Sequence, residues 1–209
     1  MADSAERFPL FPLGLVLLPG ELVPLHIFEE RYRTMIGECL EQASEFGIVW
    51  SGDDGLADIG CAAEVAQLIE ELDDGRMNVL VKGTRPFRLN RRIEDMPYPA
   101  GDVEWLAADD EEDPDADEDV AVGARRAYAD LVEKVTELRP TDEDLAELDA
   151  YGMAATIAFD LSDKQELLEL RAEEDRLDRL AALCGSAMKR LSETGVAAAR
   201  ASSNGKVHY

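Results

Sequence analysis

The chain has 209 residues, enough for one large domain or two small ones. Its 46 Asp and Glu against 21 Lys and Arg leave a net charge of −25, which disfavours a protein that grips nucleic-acid phosphates or an anionic membrane surface. Hydrophobic residues make up 46% of the chain, so there is apolar material for a real core and the acidity does not signal disorder.

Taken in chain order, the first half reads mainly as strand. Phe8 to Leu18 is apolar but punctuated by Pro9, Pro12 and Gly14, which suits edge strands and bulges, and Pro19-Gly20 marks a turn before the short run Leu22 to Phe28. From Glu29 the period changes: Tyr32, Met35, Ile36, Cys39, Leu40 and Ala43 fall on one face of a helix that should end near Ser44. Phe46 to Trp50 predicts a buried strand, and Ser51 to Asp58 a polar loop. Ile59 to Leu72 and Arg76 to Lys82 flank Asp73-Asp74-Gly75, the clearest hairpin signal in the chain. Arg85 to Arg92 and Ala100 to Leu106 supply two further strands.

Residues 109–119, DDEEDPDADED, hold nine acidic side chains and no basic one, and so predict a solvated linker. Beyond it the chain reads as helical. Val120 to Leu138 carries a stripe of Ala124, Ala127, Leu131, Val135 and Leu138 and stops at Pro140. Thr141 is placed to cap the next helix, whose first turn holds Asp142, Glu143 and Asp144 and whose apolar face lies within Leu145 to Leu161. Ser162 with Gln165 matches a capping box for a last helical stretch through Leu191, kinked near Ala172. The expected division is therefore a β-rich subdomain at 1–108, the linker at 109–119, a helical subdomain at 120–194 and a flexible tail at 195–209.

Signals for chemistry are few. No phosphate loop, dinucleotide-binding glycine motif, HExxH or GxSxG motif occurs, and no cofactor is implied. Cys39, Cys61 and Cys184 lie far apart in no metal-ligand spacing, which supports neither a disulfide framework nor a zinc site and fits a reducing cytoplasm. A cysteine hydrolase would have to pair Cys39 or Cys61 with His26, yet both thiols fall on apolar faces where a free cysteine is an ordinary small core residue. The acidic run lacks the central Gly and closing Glu of a calcium loop. Arg85, Arg88, Arg91 and Arg92, interleaved with Phe87, form the one basic cluster and the alternative site for RNA or a nucleotide, although strand alternation sends Arg85 and Arg88 to opposite faces. The N-terminus carries acidic residues where a signal peptide needs basic ones, and no apolar run approaches the ~18 residues of a membrane span. A cytoplasmic protein with no membrane partner is expected. Arg outnumbers Lys 16 to 5, which together with the acidity fits either a GC-rich coding bias or a salt-adapted source.

Within residues 8–36, the F-P-L segment, the Pro19-Gly20 turn, P-L-H-I-F-E and R-Y-R-x-M resemble the opening of the N-terminal substrate-binding domain of Lon proteases, in its stand-alone bacterial form. Further likenesses follow in order: Ile59 to Val65, the Asp74-Gly75-Arg76 turn with Asn78 to Gly83, Arg85 to Leu89, and, in the helical half, Asp163 to Glu169 with Arg176-Leu177 and Leu180. The resemblance covers roughly residues 8–193. It implies an α+β fold: a PUA-like β-barrel with one inserted helix, followed by a C-terminal helical bundle. It also implies a non-enzymatic module that recognises apolar segments of unfolded or client polypeptides, with a separate protease or chaperone as a further partner. No catalytic, cofactor or metal residue carries over, since the shared motifs are structural, and the ATPase and Ser-Lys peptidase modules have no counterpart in the 209 residues. The candidate polypeptide-binding residues are Leu15, Val16 and Leu17 beside the Pro19-Gly20 turn, and Phe87.

Overall fold

The computed structural model describes residues 4–53, 55–106 and 117–204, with side chains from residue 5 through 193 of these. Its strands are β1 (Ser4–Leu13), β2 (Leu22–Ile27), β3 (Phe46–Gly52), β4 (Gly55–Leu56), β5 (Ile59–Glu71), β6 (Met77–Ile93) and β7 (Ala100–Trp105). The helices are α1 (Glu30–Gln42), α2 (Glu118–Thr136), α3 (Asp142–Ala146), α4 (Ala150–Ala155), α5 (Leu161–Glu169) and α6 (Glu173–Asn204).

Strand pairing runs β1-β7-β6-β5-β3, and β3 returns to β1 through a parallel register from Leu10↔Gly47 to Leu13↔Trp50. The hydrogen-bonded circuit is thus closed, and the expected N-terminal barrel is present. Closure removes edges where the circuit's five strands pair and forces inward-facing side chains to fill the interior. Phe8, Leu10, Val49, Ala62, Phe87 and Val103 do so. Phe87 is fully buried, and Phe8 and Trp105 meet it edge-on at ring-centroid distances of 5.7 and 6.3 Å. Glycine makes the space: a Cβ on Gly47 would stand 2.6 Å from the Phe87 ring, and one on Gly60 would stand 2.7 Å from both that ring and the Ile48 carbonyl.

β6 is one strand of 17 residues where the sequence suggested two. Its first half pairs with β2 and its second with β7, while β5 accompanies it from Met77 to Arg88. Gly83 sits at the change of partner. Its N–H donates to Glu21 at 3.0 Å and its carbonyl accepts from Gly20 at 2.8 Å. A Cβ there would lie 2.2 Å from the Leu18 carbonyl, so only glycine admits the close approach. Leu18-Pro19-Gly20-Glu21 is a type II turn, with Gly20 at φ 79° and Glu21 N–H bonded to Leu18 O at 3.1 Å.

Among the described residues β2 pairs only with β6, which leaves its other edge open there. Alternation from Gly83 puts the backbone groups of Val23, Leu25 and Ile27 toward β6, leaving those of Leu22, Pro24 and His26 on the open side. Pro24 therefore withholds an N–H in the middle of that edge. Beyond residue 63, β5 has no β3 partner, and two register shifts, between Val65 and Gln67 and between Leu68 and Glu70, interrupt its ladder. A missing donor on one side and bulges on the other both oppose strand addition.

α1 buries Tyr32, Met35, Ile36 and Cys39 as its periodicity indicated; Leu40 is 37% exposed and Ala43 is the left-handed C-cap. The hairpin turn closes at Gly75, φ 79°. In the second half the expectation fails in several places. Val135 is exposed although it lies inside α2, and Leu138 falls beyond the helix, which ends at Thr136 with Glu137 in the left-handed region; the buried positions are Ala121, Ala124, Tyr128, Ala129 and Leu131. The helix expected over Leu145 to Leu161 is two short ones: Thr141 forms a capping box with Asp144 for α3, and Asp149 caps α4. Gln165 makes no capping box; its amide donates to Ile59 O at 3.1 Å and Glu169 at 2.8 Å. The kink near Ala172 is a break between α5 and α6, and α6 continues as helix to Asn204, where a flexible tail was expected from 195.

The chain divides into two compact units, one formed by residues 1–113 and 149–173, the other by 114–148 and 174–209. The single boundary expected at 109–119 misses the return of α4 and α5 to the sheet. Residues 107–116, most of the expected linker, lie outside the described residues, and its end at Glu118 and Asp119 is the first turn of α2.

Candidate functional site

Of the expected binding residues, Leu17 is 1% exposed and Phe87 fully buried. Both belong to the core, and neither can meet a polypeptide unless the barrel opens. Leu15 is half-buried, and Val16, at 3% exposed, is also core. They line an open groove of about 400 Å³ within the sheet unit, together with Glu21, Val23, Ala155, Thr156, Ile157, Ala158, Phe159, Leu161 and Lys164.

Three segments build this groove. The loop after β1 supplies Leu15 and Val16, β2 supplies Val23, and the connection between α4 and α5 supplies the opposite wall. Glu21 and Lys164 tie the walls together: the Lys164 ammonium donates to both carboxylate oxygens at 2.6 and 2.8 Å, with the side chains only 11% and 13% exposed. The same carboxylate accepts the Leu18 N–H at 3.0 Å, which fixes the loop against the pair. The wall residues Leu15, Val23 and Ile157 are half-buried, and Leu161 is 37% exposed. The groove therefore offers aliphatic surface on a pinned frame, a combination suited to receiving apolar side chains. Sequence reasoning missed Val23, Ile157 and Leu161. The second wall is more than 130 residues from the first along the chain, and no local pattern announces such a meeting.

The other candidates resolve as structural. Arg85 donates to Glu45 at 2.9 Å and lies over the Trp105 ring at 3.8 Å, and Arg91 donates to Asp102 at 2.7 Å; Arg88 and Arg92 are exposed. The basic cluster thus spends two of its guanidiniums on the protein's own carboxylates. Arg91 holds the Asp102 carboxyl below the usual carboxylate range, with the Arg7 N–H assisting. Cys61 is fully buried, its thiol 3.2 Å from the Ala62 carbonyl, and burial pushes it far above the ordinary thiol range. Burial also raises Cys39, and it pushes Cys184 up to about 11. His26 is exposed, bonded through Nδ1 to Asn78 at 2.7 Å and stacked with Phe28. Neither thiol has the activated character a nucleophile needs. Among the described residues no group of His, Cys, Asp and Glu is placed to hold a metal ion, and no helix is long and apolar enough to cross a membrane.

Comparison with known proteins agrees with this fold. A crystal structure of a Lon N-terminal domain protein from Xanthomonas campestris superposes with a TM-score of 0.64 at 25% identity, covering 86% of this chain and 98% of that one. The N-terminal domain of Mycobacterium avium complex Lon protease shares the fold, with a TM-score of 0.63 at 20% identity over 88% of this chain and 98% of that one. Among full-length relatives, Lon protease of Escherichia coli K12 is 26% identical over 202 residues, 88% of this chain and 25% of that protein. Lon protease 1 of Hydrogenovibrio crunogenus is 24% identical over 186 residues, 83% of this chain and 23% of that protein. The chain thus spans about a quarter of the length of the curated relatives it matches. The model of the ATP-dependent protease La (LON) substrate-binding domain matches residues 7–184, and the chain belongs to that family.

Proposed function

We propose that the protein is a non-catalytic polypeptide-recognition module that binds apolar segments of unfolded or client proteins in the groove between the β1–β2 loop and the α4–α5 connection. The observation that carries the reading is the groove's lining: Leu15, Val23, Ile157 and Leu161 present partly exposed aliphatic surface on a frame held by the Glu21–Lys164 pair. Family membership supports substrate binding as the task. The protected edges of β2 and β5 support recognition through side chains instead of added backbone hydrogen bonds.

The test is fluorescence anisotropy with a labelled, reduced and carboxymethylated model protein as ligand. Saturable binding by the native protein is expected, weakened at least about fivefold in a Val23→Ser, Leu161→Ser double variant whose melting temperature stays near the native value. Absence of any association by the native protein overturns the reading.

A further inference from the structure

A second open cavity of the sheet unit, about 380 Å³, shares no lining residue with the groove. It lies beside the start of α1 and the far end of β6, walled by the segment 94–99 that leads into β7. That segment is pinned in place. Arg7 donates to both Asp95 carboxylate oxygens at 3.2 and 3.3 Å and reaches Met96 Sδ at 2.9 Å. Leu10 N–H donates to Pro99 O at 2.8 Å, and the Tyr98 hydroxyl donates to Glu38. The wall is therefore preformed, which spares a ligand the cost of ordering it.

The lining is apolar and poor in hydrogen-bonding groups. Pro12, Pro97 and Pro99 have no N–H to donate, Leu56 and Ile93 are half-buried aliphatics, and Tyr98 has its hydroxyl committed. The ionic groups of the lining are Arg31, Arg92 and Glu94. Arg31 donates to Glu29 at 2.8 Å and lies over the Tyr32 ring at 4.6 Å. Arg92 and Glu94 stand on either side of Ile93, exposed, and among the described residues neither has an ion-pair or hydrogen-bond partner, nor do they pair with each other.

We infer that this cavity binds a small zwitterion with an apolar side chain, a free amino acid or a dipeptide. Its carboxylate meets the Arg92 guanidinium, its ammonium meets Glu94, and its side chain enters the proline-lined interior. A purely anionic ligand would be brought against Glu94 and a purely cationic one against Arg92, whereas a ligand of both signs answers the two together. Because both groups are exposed, their contribution is screened, and dissociation constants of about 0.1–1 mM are expected.

The experiment follows the backbone amide chemical shifts of the full chain, at about 0.05 M salt, as leucine or Leu-Leu is added to about 10 mM. N-acetyl-leucine, which keeps only the carboxylate, and leucine amide, which keeps only the ammonium, are the blocked counterparts. Saturable shifts at Leu56 and within residues 92–100 are expected for at least one zwitterion, with both blocked forms at least about tenfold weaker. The tighter of the two zwitterions distinguishes a free amino acid from a peptide as the ligand. Arg92→Gln and Glu94→Gln should each weaken binding about three- to tenfold without moving the melting temperature, since neither exposed side chain supports the fold. Absence of saturable shifts with both zwitterions overturns the inference, as do shifts confined to residues 15–23 and 155–164. So does a blocked form that binds as tightly as its zwitterion, or unchanged affinity in both variants.

Discussion

The interior around Phe87 and the groove beside Leu161 are made of the same kinds of side chain but differ in what encloses them. Phe87 lies inside a closed hydrogen-bonded circuit, where Gly47 and Gly60 give up their side chains to admit its ring. Leu161 faces Val23 and Leu15 across a gap that, among the described residues, no strand or helix of its unit fills. Burial of apolar area is therefore not a property of the residue but of the topology around it. Inside the circuit every contact is satisfied by the chain itself, whereas at the groove the chain supplies one side only.

That contrast can be broken most forcefully at Gly83. A methyl group there meets the Leu18 carbonyl, which the turn and the Glu21 bond hold in place, so Gly83→Ala should destabilise by about 3 kcal/mol or more. Urea denaturation measures this; an effect under about 1 kcal/mol would mean that the strand and turn can separate at little cost. Phe87→Ala opens a cavity in the circuit and should destabilise by about 3–5 kcal/mol, an effect of comparable size.

Between core and groove stands the Glu21–Lys164 pair. Glu21→Ala leaves a nearly buried ammonium and an unanswered Leu18 N–H, and should cost about 2–3 kcal/mol while also loosening polypeptide binding. A variant as stable as the native protein would show that the two walls are held by other contacts. Tyr98 gives a pH-dependent version of the comparison. Its buried hydroxyl donates to Glu38 at 2.5 Å, and burial pushes the phenol from 10.0 up to about 12. The unfolded chain loses this proton first, so the contribution is intact below pH 10 and disappears as pH rises through 12. Denaturation midpoints of Tyr98→Phe and the native protein should converge over that window, and parallel curves would argue against the assignment. At the groove itself, Leu161→Ser should change stability by less than about 1 kcal/mol, the smallest effect of the series.

Local pattern carried part of the fold and little of the site. The α1 stripe Tyr32–Met35–Ile36–Cys39 and the Asp73-Asp74-Gly75 turn were legible because each is set by residues within a few positions of one another. Barrel closure was not visible in any period, since β1 and β3 pair in parallel across more than 30 residues; the family likeness supplied it. Leu138 continues an apolar stripe that the Glu137 backbone ends, so periodicity overran the helix there, while Val135 sits inside α2 and is exposed. The triplet Leu15, Val16 and Leu17 lies in a loop where no alternation rule applies, and its members end at a groove wall, a groove base and the core. Gln165 looked like a capping residue because its spacing from Ser162 fits, whereas the buried Ile59 carbonyl is the acceptor its amide serves.

The return of residues 149–173 to the sheet unit has a consequence for synthesis. The Gln165–Ile59 and Lys164–Glu21 contacts span 106 and 143 positions, so neither can form until α5 has left the ribosome. From the appearance of Leu106 to that of Leu161 the nascent chain has its strands but not its second wall. At elongation rates of about 5–20 residues per second this interval lasts roughly 3–11 s. During it the Ile59 carbonyl waits without the Gln165 amide and the Glu21 carboxylate without the Lys164 ammonium, and the apolar flank of the strands is open to whatever else the cell holds. A module proposed to bind exposed chains is thus, at its own birth, briefly one of them.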